Sequence, residues 1–336
     1  MTLKGRIGLF PAKIVLNRSE AHQVFILNTS EYLPRRVVDN DYFATLLGKP
    51  STWFVERTGI QQRRRAAPDE NVNKLGIAAV ESLRDRGASL GDIDLIVAAS
   101  YTPLDTIGTL AHVIQREFRL IGAKAIYLST ACSSFLDALD IVAMYFKAGG
   151  ARKALIVAAE HNSAHARDDD LSSGHLWGDG ASAVLLASTG ETAQFEVLRV
   201  ETKGLAEQGH GPEAVSLTAK SGLTMPHGRE VFARACQEMT RAVRTILASA
   251  GVGIDDVRLL VPHQANKRII DHVGKELGLP LERIALTIDT LGNTGCASVA
   301  ISLHRFASRV APGEMTVLVT FGGGYSVGAA LLRRLA

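Results

Sequence analysis

The chain has 336 residues, of which 46% are hydrophobic, and its formal net charge at pH 7 is +3. A chain of this length and apolar fraction can build one or two globular domains with a large core. Its basic residues are scattered rather than gathered in a tail or stripe, which argues against nucleic acid as a partner.

The first 22 residues contain basic side chains, but Pro11 and Lys13 interrupt their short apolar pieces. They do not resemble a signal peptide, and we treat 1–22 as an extension with no assigned function. No later apolar run reaches the roughly 18–20 residues of a membrane span, so no membrane partner is expected. Three widely spaced cysteines argue against a disulfide framework and favour a reducing, cytoplasmic location.

An internal repeat organises the rest of the chain. The segment GASLGDIDLIV (87–97) is matched by GVGIDDVRLLV (251–261), at an offset of 251 − 87 = 164 residues. Within a residue or two of that offset, LDALDIVAMYFKAGGARKALIVAAE (136–160) is matched by ISLHRFASRVAPGEMTVLVTFGG (301–323). Each segment has the pattern of an apolar helix, a glycine turn and a buried strand. We therefore predict two copies of one α/β unit, with parallel-rich sheets covered by helices on both faces.

The boundary between the copies is predicted near the polar segment STGETAQFE. We assign an N-terminal half to 23–190 and a C-terminal half to 191–336. The segment 161–177 has no counterpart in the second copy, and we expect a surface loop or a dimer contact there. His161 and His165 could face a metal from one side of a helix, but the serine- and aspartate-rich composition favours a solvated loop. No metal site is predicted.

Cys132 lies in LSTACSSFLDAL (128–139), between a strand-like segment and an apolar helix. The partial positive charge and free N–H groups of a helix N-terminus lower a thiol pKa, and the thiolate attacks carbonyls and thioesters. Cysteine is also a common small core residue. The repeat places Cys296 at the matching turn of the second copy. A cysteine at this turn in both copies indicates that its side chain serves packing in part.

His263 follows a strand in VPHQANKRII, and Asn293 lies in LGNTGCAS, at the turn that matches the turn of Cys132. Chemistry in α/β proteins is placed at the carboxyl ends of strands, and matching turns of a twofold repeat approach each other near its axis. Alone, each residue has a structural explanation as a satisfied polar group, a turn former or a helix cap. Together with Cys132 they predict a catalytic site built from both halves.

Several motifs carry a family signature. They are TACSSF, VPHQANKRII, LGNTGCAS, MPHGREVF, FGGGYSVG, WFVERTGIQQRR and WGDGASAVLL. In combination, over about residues 23–336, they resemble the β-ketoacyl-acyl-carrier-protein synthase III group of the thiolase superfamily. The resemblance implies an α/β thiolase fold of five layers, αβαβα, built from two duplicated halves, usually as a homodimer.

The resemblance also implies a reaction. Cys132 would take an acyl group from acyl-CoA or an acyl carrier protein. His263 and Asn293 would hydrogen-bond the thioester oxygen of a malonyl thioester while it decarboxylates, and the enolate would attack the acyl-cysteine. The N–H groups of Cys132 and Gly323 would form the oxyanion hole. No cofactor is implied, because CoA thioesters are the substrates.

Further side chains receive roles by the same resemblance. They are Trp53 and Arg57 at the CoA nucleotide, Arg268 at the mouth where CoA or carrier protein docks, Phe321 beside the sulfur, and Ile107, which would close the acyl pocket across the dimer interface.

The sequence departs in several places from the motifs of the family's housekeeping enzymes, which serve fatty acid synthesis. These departures favour a specialised polyketide, resorcinol or pyrone pathway over fatty acid synthesis. They include the serines of TACSSF, the short segment 201–224 and the carboxylates Asp105 and Glu160. Either carboxylate could act as the base of a condensation without decarboxylation, although a structural role is the commoner case.

Three other functions stay open. They are acyl transfer to an alcohol or amine on the same fold, a Cys-His-Asn hydrolase and a catalytically silent subunit. The position of Cys132, deep in a duplicated and cysteine-poor chain, argues against the hydrolase. An intact Cys, His and Asn set argues against the silent subunit.

Overall fold

The structure is a computed structural model that describes residues 23–336, so the predicted extension 1–22 lies outside it. Its strands are β1 Val24–Tyr32, β2 Arg36–Asp39, β3 Gln62–Arg65, β4 Leu95–Ala99, β5 Lys124–Leu128, β6 Lys153–Glu160, β7 Gly180–Ala187, β8 Phe195–Gly204, β9 Ser216–Thr218, β10 Gly222–Thr224, β11 Val257–Pro262, β12 Met315–Gly322 and β13 Ser326–Arg334. Its helices are α1 Asn40–Leu47, α2 Ser51–Thr58, α3 Val72–Asp85, α4 Leu110–Glu117, α5 Ser134–Lys147, α6 Gly228–Ala250, α7 Lys267–Leu277, α8 Ile288–Leu291 and α9 Ala297–Phe306. None of these helices has the length and apolar character needed to cross a membrane.

The main sheet is mixed. Among the described residues nine strands join in the order β11-β12-β13-β8-β1-β7-β6-β4-β5. Three of its strand pairs are parallel and five are antiparallel. The expectation of sheets made mostly of parallel strands is therefore wrong. One of the antiparallel pairs has a local cause: β12 and β13 are joined by a tight glycine turn, which only antiparallel strands permit.

The strand order repeats the sequence duplication. The run β1-β7-β6-β4 in one half corresponds to β8-β13-β12-β11 in the other. The two halves of the sheet join where β1 pairs with β8 over residues 24–26. The division proposed at 190/191 falls in the connection between β7 and β8.

Helices cover both faces of each half. α3 and α4 contact β1 and β4 to β7 on one outer side, while α6 contacts β8, β12 and β13 on the other and packs against α7. α5 and α9 contact strands of both halves and each other, so they form the central layer. A buried cluster centred on Phe135, Leu139, Val142, Val299 and Ile301 fills this layer. The predicted αβαβα arrangement is confirmed.

Helix α7 illustrates how the sequence fixes an element beside the site. The side chain of Asn266 accepts a hydrogen bond from the Arg268 N–H at 2.9 Å and caps the first turn, and Gly278 ends the helix with φ of 71°. Apolar side chains at helical spacing face inward: Ile269, Ile270, Val273 and Leu277 are buried. Arg268 is left exposed at the start of the helix.

The segment 161–177 is less exposed than expected. Asn162, Ser173 and His175 are buried, so the prediction of a solvated loop is wrong for these residues. Only the three-residue turn Asn162–Ala164 separates His161 from His165, so no α-helical face aligns the two rings. Within residues 23–336 no group of three or more His, Cys, Asp or Glu side chains could hold a metal ion.

Candidate active site

A cavity with an empty volume of about 720 Å³ opens beside Cys132. Five of the predicted site residues line it: Cys132, His263, Asn293, Phe321 and Gly323. Most of the remaining wall is apolar and comes from β9, β10, α6 and their connections: Val215, Leu217, Leu223, Met225, Val231, Ala235 and Met239. The two copies of the repeat thus contribute their chemistry to one cavity.

The turn that carries Cys132 is strained. Ala131 has φ of 52°, in the left-handed region that disfavours residues with a Cβ atom. The Ser134 hydroxyl accepts from the Thr130 N–H at 2.8 Å and donates to the Ala131 carbonyl at 2.6 Å, which holds the turn closed. Helix α5 begins at Ser134, two residues after the cysteine. The predicted position of Cys132 between a strand and a helix is confirmed.

The surroundings of the thiol keep it protonated. Burial raises the pKa of Cys132 to about 12, and the negative charge of Glu160 acts in the same direction. The backbone N–H groups of Gly323 and Cys132 oppose this shift because they favour the thiolate. The expectation of a lowered thiol pKa is wrong for the substrate-free site, since burial outweighs the helix N-terminus.

His263 is buried at the end of β11. Its Nδ1 lies 2.7 Å from the Ser298 hydroxyl oxygen, which also accepts from the Gln264 N–H at 3.4 Å. The Ser298 hydroxyl can donate its proton to Nδ1, and in that tautomer the imidazole proton is on Nε2. Burial lowers the pKa of His263 to about 4, so the ring is neutral near pH 7 and offers one N–H to the cavity.

Asn293 is fixed by its backbone and by its own side chain. Its Oδ1 accepts from the Gly295 N–H at 2.9 Å, which leaves Nδ2 as a donor. Its N–H donates to the Leu176 carbonyl at 2.9 Å, and its carbonyl accepts from the Gly178 N–H at 3.0 Å and from Asn162 Nδ2 at 3.2 Å. The segment without a counterpart in the second half therefore positions Asn293.

Glu160 is a buried carboxylate behind the nucleophile. The hydroxyls of Thr102 and Ser100 donate to it at 2.7 and 3.2 Å, and the Tyr101 N–H donates at 3.3 Å. Burial raises the pKa of Glu160 to about 7, against the effect of these hydrogen bonds. Glu160 does not line the cavity and Asp105 is exposed, so neither carboxylate is placed to act as a base in the cavity of its own chain.

We expect the free energy of unfolding of Glu160→Gln, relative to that of the wild type, to increase as pH rises. The folded-state pKa of about 7 lies above the ordinary value of 4.5, so the folded state holds the proton more tightly than the unfolded chain. Stability is lost as pH rises through this interval, by roughly 3 kcal/mol in all. The glutamine variant has no such loss.

Urea denaturation at pH 4.5 and pH 8 checks this, with the exposed Glu191→Gln as the surface control. The difference in free energy of unfolding between Glu160→Gln and wild type should grow across the interval. A constant difference would contradict the burial argument.

Gly295 is the counterpart of Ala131, with φ of 56°. A Cβ there would lie 2.5 Å from Tyr101 Oη and 2.8 Å from Glu160 Cγ. We expect Gly295→Ala to destabilise the protein by about 2–4 kcal/mol through backbone strain and overpacking, measured by chemical denaturation. Gly204→Ala is the matched control, because a Cβ there meets nothing within 4 Å. Equal stability of the two variants would contradict the account.

The predicted CoA-binding residues meet at the surface. Trp53, Arg57 and Arg268 line one depression, and the Arg57 guanidinium stacks over the Trp53 ring at 4.3 Å. Arg229 joins both arginines in the adjoining depression. Met225 lines both depressions and also the cavity of Cys132, so these two depressions, here called the cationic mouth, adjoin the cavity of the nucleophile. Ile107, by contrast, is 85% exposed and does not line the cavity of its own chain.

Sequence reasoning missed two polar aromatic residues of the cavity. Tyr101 follows β4, and Trp177 begins the WGDG motif. The motif contained Trp177 but gave no sign that this residue lines the cavity of Cys132. Tyr101 follows the strand end AAS, which the repeat aligns with the strand end PHQ of His263, and this alignment could have identified it.

Two family models match the chain. One is 3-oxoacyl-[acyl-carrier-protein] synthase III, over residues 127–204, and the other is the C-terminal part of the same enzyme, over residues 247–334. Among curated proteins, the β-ketoacyl-[acyl-carrier-protein] synthase III of Aquifex aeolicus is 33% identical over 92% of this chain and 98% of its own. The Chelativorans enzyme of the same name is 36% identical over 90% and 96%.

Solved structures agree with the fold. The 3-oxoacyl-[acyl-carrier-protein] synthase III of Aquifex aeolicus superposes with a TM-score of 0.86 at 33% identity, over 92% of this chain and 99% of the other. The priming β-ketosynthase of the R1128 polyketide pathway has a TM-score of 0.85 at 31% identity, over 95% and 99%. The chain therefore belongs to the β-ketoacyl-acyl-carrier-protein synthase III family of thiolase-like condensing enzymes.

Proposed function

We propose that the protein condenses an acyl group from acyl-CoA with malonyl-acyl carrier protein, releasing CO2 and CoA and forming a 3-oxoacyl thioester. The observation that carries this proposal is the meeting of Cys132, His263 and Asn293 in one apolar cavity behind a cationic mouth. Family membership supports it, because the relatives are named β-ketoacyl-[acyl-carrier-protein] synthase III, after the 3-oxoacyl thioester that the proposed reaction forms.

In the first step the Cys132 thiol attacks the carbonyl carbon of acyl-CoA. A sulfur–carbon bond forms, the bond to the CoA sulfur breaks, and CoA leaves as a thiol with the proton that Cys132 gives up. The N–H groups of Cys132 and Gly323 would hold the oxygen of the tetrahedral intermediate. This role is supported by the proximity of both N–H groups to the sulfur, where they favour negative charge.

In the second step the malonyl thioester loses its carboxylate as CO2, and the electron pair moves onto the thioester oxygen. Nε2–H of His263 and Nδ2–H of Asn293 would donate to that oxygen, which is where charge develops. The enolate carbon attacks the acyl group, a carbon–carbon bond forms, and the bond to the Cys132 sulfur breaks. The released thiolate takes up a proton from solvent, as its raised pKa favours.

The cationic mouth fits a phosphate-bearing substrate. Arg57, Arg229 and Arg268 line adjoining depressions there, and cations lining an entrance attract anionic ligands. We assign Trp53 and Arg57 to the nucleotide of CoA and Arg268 to docking of CoA or the carrier protein.

The pathway that uses the product is a finer proposal. Relatives include an enzyme named for β-ketoacyl-acyl-carrier-protein synthesis at 33% identity and a polyketide priming ketosynthase at 31%. We favour the specialised pathway on the sequence departures described above. It predicts that larger acyl-CoAs load Cys132 faster than acetyl-CoA, whereas fatty acid initiation on acetyl-CoA predicts the reverse.

The deciding experiment combines acyl loading and condensation. The protein is incubated with a panel of acyl-CoAs and weighed intact, then given malonyl-acyl carrier protein, and the products are identified. A cysteine-bound acyl group that is converted into 3-oxoacyl-carrier protein with release of CO2 supports the proposal. Free acid, or transfer to an added alcohol or amine without loss of CO2, would replace it with hydrolysis or plain acyl transfer.

The loop after β4 supports a twofold dimer. Leu104 and Ile107 are 60% and 85% exposed there, and such apolar side chains gain stability by burial against a second copy. We propose that Ile107 closes the acyl cavity of the partner subunit. Ile107→Asp is expected to give monomers, as measured by size-exclusion chromatography with light scattering. Its loading by acyl-CoA, followed by intact mass, is expected to be impaired. The exposed Leu281→Asp is the control, and a monomeric wild type would contradict the assignment.

A further inference from the structure

The sulfur of Cys132 carries negative charge at two points of the proposed reaction: as it attacks acyl-CoA and as it is released in the condensation. Burial raises the pKa of this thiol to about 12, so the charged sulfur depends on the donors around it. The N–H groups of Cys132 and Gly323 favour the thiolate, but the mechanism assigns them to the oxygen of the tetrahedral intermediate. A donor reserved for the sulfur would support both steps.

The Tyr101 hydroxyl lies beside this sulfur. Tyr101 and Cys132 both line the cavity, and the phenol is hydrogen-bonded to the sulfur, where it favours the thiolate. Burial, reinforced by the negative charge of Glu160, raises the pKa of Tyr101 well above its ordinary value. The phenol therefore keeps its proton and acts as a neutral donor. A hydrogen bond with one ionised partner is roughly twice as strong as one between neutral groups.

The position of the phenol is fixed from both ends of the residue. The Tyr101 N–H donates to the Glu160 carboxylate at 3.3 Å. At the other end the hydroxyl oxygen packs against the Gly295 turn, so closely that a Cβ on Gly295 would lie 2.5 Å from it. A donor that is held in place before the reaction costs no reorganisation when charge develops on the sulfur.

Asn162 offers the same hydroxyl a second partner. Its side chain is hydrogen-bonded to the Tyr101 phenol. The two hydrogens of Asn162 Nδ2 go to the carbonyl oxygens of Gly178 and Asn293, at 2.8 and 3.2 Å, which leaves Oδ1 as the acceptor. One hydroxyl proton serves one acceptor at a time. An amide oxygen is a better acceptor than the sulfur of a thiol or thioester, whereas a thiolate is a better acceptor than the amide oxygen.

We propose that the Tyr101 hydroxyl is a catalytic donor that moves between Asn162 Oδ1 and the Cys132 sulfur as the charge on that sulfur changes. During loading it turns to the sulfur while the thiol proton leaves toward CoA, and the phenol keeps its own proton. During condensation, a role that rests on the function proposed above, it stabilises the thiolate released when the acyl–sulfur bond breaks. It returns to Asn162 once that thiolate is protonated from solvent.

Alkylation of Cys132 by iodoacetamide tests the donor without any acyl substrate. The sulfur–carbon bond forms as iodide leaves, and the rate follows the fraction of thiolate. We expect Tyr101→Phe to be alkylated at Cys132 about tenfold or more slowly than the wild type at pH 9, because a hydrogen bond to a charged group is lost. Peptide mass identifies the alkylated cysteine, and Cys132→Ala gives the background rate.

Loading by acyl-CoA gives a second readout, the separation of kcat from KM. Tyr101→Phe keeps the ring and removes only the oxygen, so the wall of the cavity is preserved. Loss of a donor to the sulfur lowers kcat for loading by about tenfold and leaves KM unchanged. A side chain that only packs against the acyl group would change KM instead.

Tyr127→Phe is the matched control. The Tyr127 hydroxyl donates to the Ser100 carbonyl at 2.6 Å and its side chain does not line the cavity, so this variant should be alkylated and loaded at the wild-type rate. Circular dichroism verifies folding of each variant. Should Tyr101→Phe fail to fold, 3-fluorotyrosine at the same position, a stronger donor of nearly the same shape, should be alkylated faster than the wild type.

Two results would overturn the inference and leave the proposed function standing. One is alkylation of the folded Tyr101→Phe, or of the fluorotyrosine variant where it replaces it, at the wild-type rate. The other is a loading defect confined to KM. Absence of loading by any acyl-CoA, with alkylation still slowed in Tyr101→Phe, would contradict the proposed function and keep Tyr101 as the donor to the sulfur.

Discussion

Replacing Cys132 with alanine is expected to abolish covalent loading by acyl-CoA and to lower the rate of condensation by on the order of 10³-fold or more. The cysteine sulfur is the atom that accepts the acyl group in the proposed mechanism, and alanine offers no nucleophile. The substitution removes a small side chain from the cavity wall, so the rest of the site should keep its geometry.

The other two cysteines supply the controls. Cys236 lies buried in α6, and Cys296 occupies the matching turn of the second copy, where its thiol donates to the Ala99 carbonyl at 3.2 Å. Neither lines the cavity, so Cys236→Ala and Cys296→Ala should still be acylated. Intact mass after incubation with acyl-CoA checks this. An adduct that persists in Cys132→Ala and disappears in Cys296→Ala would move the nucleophile to the second copy.

The repeat made much of this arrangement predictable. The 164-residue offset aligns Cys132 with Cys296, and the structure places the matching helices α5 and α9 together in the central layer. Their N-terminal turns therefore meet, which brings Cys132 and Asn293 to one cavity. Periodicity and duplication are local properties of a sequence, so these features can be derived without a structure.

Other features depend on which distant side chains meet. The pKa of Cys132 is set by burial and by Glu160, which lies on a different strand, so the helix N-terminus alone predicts the wrong direction. The segment 161–177 looks solvated by composition, yet Asn162 reaches the backbone of Asn293. Composition gives the average exposure of a segment, whereas a few buried polar contacts decide its role.

His263→Ala is expected to separate the two half-reactions. The neutral ring, protonated on Nε2, is the donor proposed to stabilise the enolate, and removing one such donor costs about 10²–10³ in rate. Acyl loading uses the N–H groups of Cys132 and Gly323 instead, so it should fall far less than condensation. Asn293→Ala should show the same pattern, because its Nδ2 is assigned to the same oxygen.

Single-turnover loading by acyl-CoA and release of CO2 from malonyl-acyl carrier protein measure the two steps separately. His304→Ala is the matched control: His304 bonds Thr29 across α9 and β1, at 2.9 Å, and does not line the cavity. Ser298→Ala tests the tautomer, since loss of its hydroxyl frees Nδ1 to take the proton and should weaken condensation more than loading. Equal loss of both steps in His263→Ala would instead make His263 the base that activates Cys132, and the role assigned to its Nε2–H would be wrong.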